Sequence, residues 1–392
     1  MDIGIGLFGL GTVGSGVVKI LQDNADQIAK RTGTHLLVKH AVVNNLEKKR
    51  TGFINNFPIT NDAKDILNNP EIQIVVEVMG TLDQAYKIIK DSLTAKKHVV
   101  TANKVLIASR GQELVAIAEA NGVDLFFEAA VAGGIPILRT LANSFTADEI
   151  SRVAGIINGT SNFILTQMTT NKLSYANALQ LAQKKGFAEA DPTNDVAGFD
   201  AAYKLIILSN FAFGVQPALD DLTINGITHL TDADIEDANA FGYAVKLLGV
   251  AQRVGQDANA ISIDVSPYLV PFTHPLATVH NENNAVLVNG ESVGEIMLYG
   301  PGAGELPTAN SVLSDLTNIA TDIALNTPGR PFNSFNQNLD IAKPSQRLSR
   351  RFIVIEVDDT PGAMYSVTGM FAAAKISFSD LKQTPDRKST RL

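Results

Sequence analysis

A chain of 392 residues, 45% hydrophobic and 18% charged with a mean hydropathy of +0.09, is too long for one ordinary core and too apolar for a disordered protein. Its formal net charge of −8 disfavours nucleic acid as a partner, because duplex affinity rests on cations that neutralise phosphates. With no cysteine, disulfides, zinc–thiolate sites and thiol catalysis are excluded together.

The opening run MDIGIGLFGLG has no basic region ahead of its apolar residues and does not read as a secretory signal. No uninterrupted apolar stretch approaches the roughly 20 residues of a membrane span. A cytoplasmic protein without membrane contact is expected, and the glycosylation sequon Asn158-Gly159-Thr160 then stays idle. Along residues 1–130, buried-type strands are expected at 3–8, 36–43, 72–78, 98–101 and 123–127, with helices at 13–21, 82–94 and 112–120 between them. Strict alternation of this kind predicts a parallel, doubly wound sheet. A strand at 150–157 follows, then helical periodicity over 158–213, with one helix expected from 195 to 213. Runs at 243–254, 260–269, 285–288 and 293–298, separated by Gly, Asn and Pro, predict an antiparallel or mixed sheet. An amphipathic helix at 308–324 is placed to pack back on the first domain. Residues 326–349 read as a connector, 351–357 as a strand, 362–374 as a helix and 376–381 as a second strand, before a polar end at 384–392.

Gly9-Leu10-Gly11-Thr12-Val13-Gly14 fits G-x-G-x-x-G directly after a strand and at the mouth of a helix. The first glycine permits the turn, the second lets backbone approach a pyrophosphate, and the third lets strand and helix pack closely. Free N–H groups at the helix start then face the anion. An NAD-type site usually has an acid after the second strand, whereas here the strand ends in Val43-Asn44-Asn45 and Lys48, Lys49 and Arg50 follow. That favours NADP and leaves NAD open; a solvated basic loop is the plainer alternative.

Lys104, after Thr101-Ala102-Asn103, lies at the carboxyl end of a predicted strand, where open parallel sheets bind ligands. The densest polar cluster is Gly186-Phe187-Ala188-Glu189-Ala190-Asp191-Pro192, followed by Asp195, Asp200 and Lys204. Asp200 and Lys204 are spaced i,i+4 and share a helix face among apolar neighbours. An exposed ion pair worth about 0.3–0.5 kcal/mol is the alternative there. The six histidines show no spacing typical of transition-metal sites.

Together these stretches resemble homoserine dehydrogenases. The run Gly155-Ile156-Ile157-Asn158-Gly159-Thr160-Ser161-Asn162-Phe163-Ile164-Leu165 is similar to a specific motif of that family, as is 186–192 followed by Asp195, Gly198, Asp200, Ala201, Lys204 and Leu205. Segments 75–80 and 101–104 also match. The resemblance covers residues 3 to 325. It implies a Rossmann-type domain at 1–130, a substrate-binding and dimerisation α+β domain at 131–300, a helix at 301–325 returning to the first domain, a linker at 326–349 and a partial ACT-like segment at 350–392. It further implies NAD(P)H-dependent interconversion of L-aspartate 4-semialdehyde and L-homoserine, in a homodimer or homotetramer. By the family pattern Lys204 is the proton donor and Lys104 a second active-site lysine. Glu189, Asp200 and Asp195 belong to the substrate site, and Gly80 and Gly302 join the glycine turn in holding cofactor. A monovalent cation, sodium or potassium, would take Glu128 and the backbone carbonyls of Val131, Gly133 and Ile135. Asp200, one turn from Lys204, is expected to favour its ammonium form. Another Rossmann dehydrogenase, or a protein that senses the dinucleotide without turning it over, remains the alternative.

Overall fold

The computed structural model of the chain describes residues 1–48, 57–255, 258–343, 350–358 and 360–381. Residues 1–347 form one compact unit and residues 348–392 a second. In the first unit, β1 (Asp2–Phe8), β2 (His35–Val42), β3 (Ile59–Thr60), β4 (Ile74–Glu77), β5 (His98–Thr101) and β6 (Leu125–Phe126) form one sheet in the order β3-β2-β1-β4-β5-β6. Every pairing is parallel. Ile3, Ile5, Leu7 and Phe8 are wholly buried, because crossover helices cover both faces of such a sheet. Strand order reverses between β1 and β4, and the diverging connections open a crevice at the carboxyl edge.

A second sheet of seven strands contains β7 (Ile150–Ile156), β8 (Thr223–Ile224), β9 (Tyr243–Val254), β10 (Ala260–Pro271), β11 (Asn283–Gly290), β12 (Gly294–Pro301) and β13 (Asp340–Ile341). Its pairings β9–β10, β7–β9, β7–β11 and β11–β12 are antiparallel, whereas β8 and β13 run parallel to β10. The sheet is therefore mixed. On one face it carries the helix Phe199–Phe213, so close that a Cβ on Gly249 would stand 3.5 Å from Leu205. The helix Glu305–Ala324 begins three residues earlier than expected and packs on the helix Thr12–Asp23. A Cβ on Gly16 would lie 3.0 Å from that of Ala309, so the small residue sets the approach of these two helices.

Four expectations need correction. The helix after β5 runs from Lys104 to Asn121, because Asn103 caps it by accepting from Leu106 N–H (3.2 Å) and Gly122 ends it in a left-handed turn. The helix expected from 195 to 213 is broken into a short turn at Thr193–Val196 and the helix from Phe199, with Gly198 at φ +91° between them. The stretch 326–349 is more than a connector: β13 extends the second sheet, and buried Phe332 packs against Phe126, Phe127 and Phe211 at 4.9–5.2 Å. In the second unit the helix Ala363–Ala373 forms, but 351–357 and 376–381 are not strands. A strand needs partners for its backbone groups, and neither segment pairs with another strand among the described residues; an apolar run by itself does not supply a partner. The polar end at 384–392 lies outside the described residues.

Candidate active site

β1 delivers the glycine turn to the crevice. Gly9 has φ +103°, and a Cβ there would meet Val78 O at 2.8 Å; a Cβ on Gly14 would meet Gly9 O at 2.1 Å. Gly11 differs, since nothing lies within 4 Å of the Cβ it lacks. The open space therefore sits where a phosphate would lie, and the helix Thr12–Asp23 starts there with no side chain capping its N–H groups. Thr12 is exposed and Val13 half-buried beside it. These residues fit a dinucleotide pyrophosphate. After β2, Asn45 accepts from Glu47 N–H and Lys48 N–H (2.9 and 3.1 Å) and so closes its own loop. Lys48 is exposed, and Lys49 and Arg50 lie outside the described residues.

β4 ends in Glu77, which is fully buried and accepts from Met79 N–H (2.8 Å) and the Thr101 hydroxyl (2.7 Å). Burial raises its pKa against those bonds. The loop thus held contains Gly80, at φ +76° with open space on its Cβ side. Asn103 Nδ2 donates to Thr81 O (2.7 Å), which ties this loop to the start of the helix carrying Lys104. Pattern reading gave no role to Glu77 or Asn103.

Lys104 and Lys204 converge on one carboxylate. Lys104 Nζ lies 2.7 Å from Asp200 Oδ1, and Lys204 Nζ lies 2.7 Å from Asp200 Oδ2 while also donating to Ile157 O (2.8 Å). Asp200 is 5% exposed and the Lys204 side chain 12%, so the pair is not a solvated surface contact. Burial alone would raise Asp200, but the two ammonium groups outweigh it and hold the carboxyl well below its usual range. Lys104 ends above its usual value: burial pulls it down, and Asp200, then Asp195 and Glu189, push it up further. Lys204 goes the other way, against expectation. Its burial lowers the pKa more than Asp200 raises it, and the charge of Lys104 adds to the lowering.

Asp195 joins the cluster through Asn158, which the sequence showed only as part of a motif. Asn158 Nδ2 donates to Asp195 Oδ1 (2.7 Å) and Asp200 Oδ2 (2.9 Å), while its Oδ1 caps the helix Gly159–Asn171 by accepting from Ser161 N–H (2.8 Å). The break at Gly198 turns Asp195 toward the same amide. Burial raises Asp195. Glu189 is exposed and touches none of these groups in a recorded bond; its contribution is the charge felt by Lys104.

A second polar locus lies at the end of the first sheet. Buried Glu128 accepts from Leu138 N–H and Arg139 N–H (2.8 Å each), and its own N–H donates to Asp315 (2.8 Å), which pairs with Arg139. Burial and the charge of Asp315 push Glu128 up to about 7; burial pushes Asp315 to about 6. Gly133 O accepts from the Ser311 hydroxyl (2.6 Å) and Ile135 O from Ile137 N–H (2.8 Å); Val131 is extended. Gly302 lies directly over this loop, for a Cβ on Gly133 would meet Gly302 O at 2.5 Å. Beneath Gly302, both polar atoms of the buried Asn284 amide lack a protein partner.

A nucleotide turn whose crevice leads to paired lysines around a buried carboxylate defines a nicotinamide-dependent oxidoreductase. Known proteins narrow the class. The family profile "Homoserine dehydrogenase, NAD binding domain" matches residues 9–128, and "Homoserine dehydrogenase" matches 136–317. The homoserine dehydrogenase of Bacillus subtilis is 45% identical over 98% of this chain and 88% of its own. A crystal structure of a homoserine dehydrogenase from Thiobacillus denitrificans superposes with a TM-score of 0.87, at 40% identity over 98% of this chain and 89% of that one. A hyperthermophilic archaeal homoserine dehydrogenase mutant in complex with NADPH is similar at TM-score 0.69 and 26% identity, over 84% of this chain and 99% of that one. The chain belongs to the homoserine dehydrogenase family.

Proposed function

We propose that this enzyme interconverts L-homoserine and L-aspartate 4-semialdehyde with a nicotinamide dinucleotide, NADP in preference to NAD, and that Lys204 moves the proton. The observation that carries the reading is the bridge Lys104–Asp200–Lys204 beside the loop that Asn103 ties to the nucleotide crevice. The dinucleotide, when bound, supplies or accepts the hydride. The protein orients the substrate, excludes water and handles the proton. Lys204, held by Asp200 and Ile157 O, stands ready to protonate the alkoxide in reduction or to take the alcohol proton in oxidation. Asp195, Glu189 and Asp200 provide the negative charge that suits the ammonium end of an amino-acid substrate.

The end of β2 carries Val43, Asn44 and Asn45 in place of an acid, and this supports NADP. At the Glu128 locus, one arginine faces two carboxylates, and the remaining donors are carbonyl oxygens without histidine. That set fits a hard monovalent cation held by Glu128 and the carbonyls of Val131, Gly133 and Ile135. Each carbonyl oxygen has two lone pairs, so the bonds from Ser311 and Ile137 leave capacity. The exposed apolar groups Val293, Ile296 and Tyr299 on or beside β12 support assembly as a homodimer or homotetramer.

One absorbance assay tests the reading: L-homoserine with NADP and with NAD, in sodium, potassium or tetramethylammonium salts. Turnover with NADP ahead of NAD, weakened in tetramethylammonium, is expected. Absence of turnover with either dinucleotide removes the substrate assignment.

A further inference from the structure

Lys246 lies on β9. Side chains alternate along a strand, so it projects from the face opposite Gly249 and the helix Phe199–Phe213. It has no part in the cluster at Lys204. The residue is 3% exposed. Its ammonium donates to Val279 O and to Asn162 Oδ1 (3.2 Å), two neutral acceptors, which leaves one of its three protons. Burial pushes its pKa down to about 8, and no carboxylate acts against that. Most of the amine is still charged at neutral pH, and a buried charge without a counter-charge is costly. His280 registers this cation: burial and then the Lys246 charge lower its pKa.

Lys246 lines a cavity of about 190 Å³, together with Thr166, His280, Ala244, Ala277 and Phe272 among others. Its lining contains no acid. At about 30 Å³ per water in the liquid, the space suits a solute of only a few heavy atoms. Ala244, Ala277 and Phe272 give it apolar walls, while the charge sits at Lys246. We propose that this cavity is a binding site for a small carboxylate, its anionic end on Lys246 and a short aliphatic tail against Ala244, Ala277 and Phe272. A zwitterionic amino acid does not fit the lining, because no acid is present to receive its ammonium group. The site is separate from the hydride-transfer crevice, and its occupancy is measurable whether or not the substrate assignment holds.

The test is thermal unfolding of the full-length protein in sodium butyrate, acetate or chloride at matched ionic strength. Butyrate, and acetate more weakly, are expected to raise Tm saturably by a few degrees, as any ligand of the native state does. Lys246→Met removes the ammonium, and Ala277→Leu fills the cavity while leaving the lysine; each should abolish the rise. If Lys246→Met fails to fold, Ala277→Leu decides, together with exchange broadening of carboxyl-labelled ¹³C-butyrate on the native protein. A flat response to both carboxylates, a chloride effect equal to that of butyrate, or a rise that persists in Ala277→Leu would overturn the assignment.

Discussion

At the scale of single residues, the balance between burial and neighbouring charge decides which way the active-site groups titrate. Asp200 stands between two ammonium groups and stays ionised, whereas Lys204 is depressed because burial and Lys104 together outweigh Asp200 and the weaker pull of Asp195. With Lys204 as the proposed base, homoserine oxidation requires its amine to be neutral so that it can accept the alcohol proton. A lysine shifted below the ordinary value of about 10.4 becomes neutral at lower pH. The oxidative rate should therefore climb with pH to a midpoint below that value, and the reductive rate should fall over the same range. A pH–rate profile for oxidation that peaks below neutrality contradicts this. Lys204→Ala should lower kcat by about 10²–10⁴ with little change in dinucleotide affinity, since it removes proton transfer and not the glycine turn. Retention of near-normal kcat would move the proton to another group. The i,i+4 spacing of Asp200 and Lys204 was legible in the sequence. Their burial, the share taken by Lys104 and the amide of Asn158 were not, because residues 104 and 158 reach the cluster from other elements.

At the scale of elements, the glycine turn separates steric from ligand-binding roles. Gly14 is closed by Gly9 O at 2.1 Å, so Gly14→Ala must displace backbone and should cost about 1–3 kcal/mol of stability. Gly11 faces open space, so Gly11→Ala should change stability by no more than about 0.5 kcal/mol and yet weaken dinucleotide binding. Denaturant unfolding and fluorescence titration with NADPH measure the two effects separately; equal destabilisation by both variants would show that the turn is packed differently. Strand and helix order in this half was readable because parallel strands buried on both faces are continuous apolar runs. Gly198 was harder. As one glycine in a helical pattern it gives little sign of a break, which follows from its contacts: a Cβ there would lie 3.2 Å from both Ile224 and Val265.

At the scale of the molecule, every candidate site residue from Gly9 to Gly302 belongs to the unit that ends at Arg347. Removing residues 348–392 should therefore leave homoserine turnover in place. Loss of turnover in a truncated chain that keeps native circular dichroism and Tm would show that the C-terminal segment contributes to the site. The same unit shows how far local pattern extends. Phe332 is one aromatic in a stretch of Pro, Asn and Ser, yet it closes a cluster with Phe126, Phe127 and Phe211, and Arg139 stacks over it at 4.9 Å. Nothing in residues 326–349 alone predicts that.

The order of residues by itself determined the alternating strands and helices, the phosphate-binding turn and the exclusion of thiol chemistry, since each depends on composition or on neighbours a few positions apart. Only the tertiary structure decided that residues 104, 158, 195, 200 and 204 share one network, that its second lysine is depressed, and that Lys246 is a buried cation beside a cavity. Contacts between distant segments and the loss of water around a charge arise when the chain closes on itself, and no local periodicity encodes either.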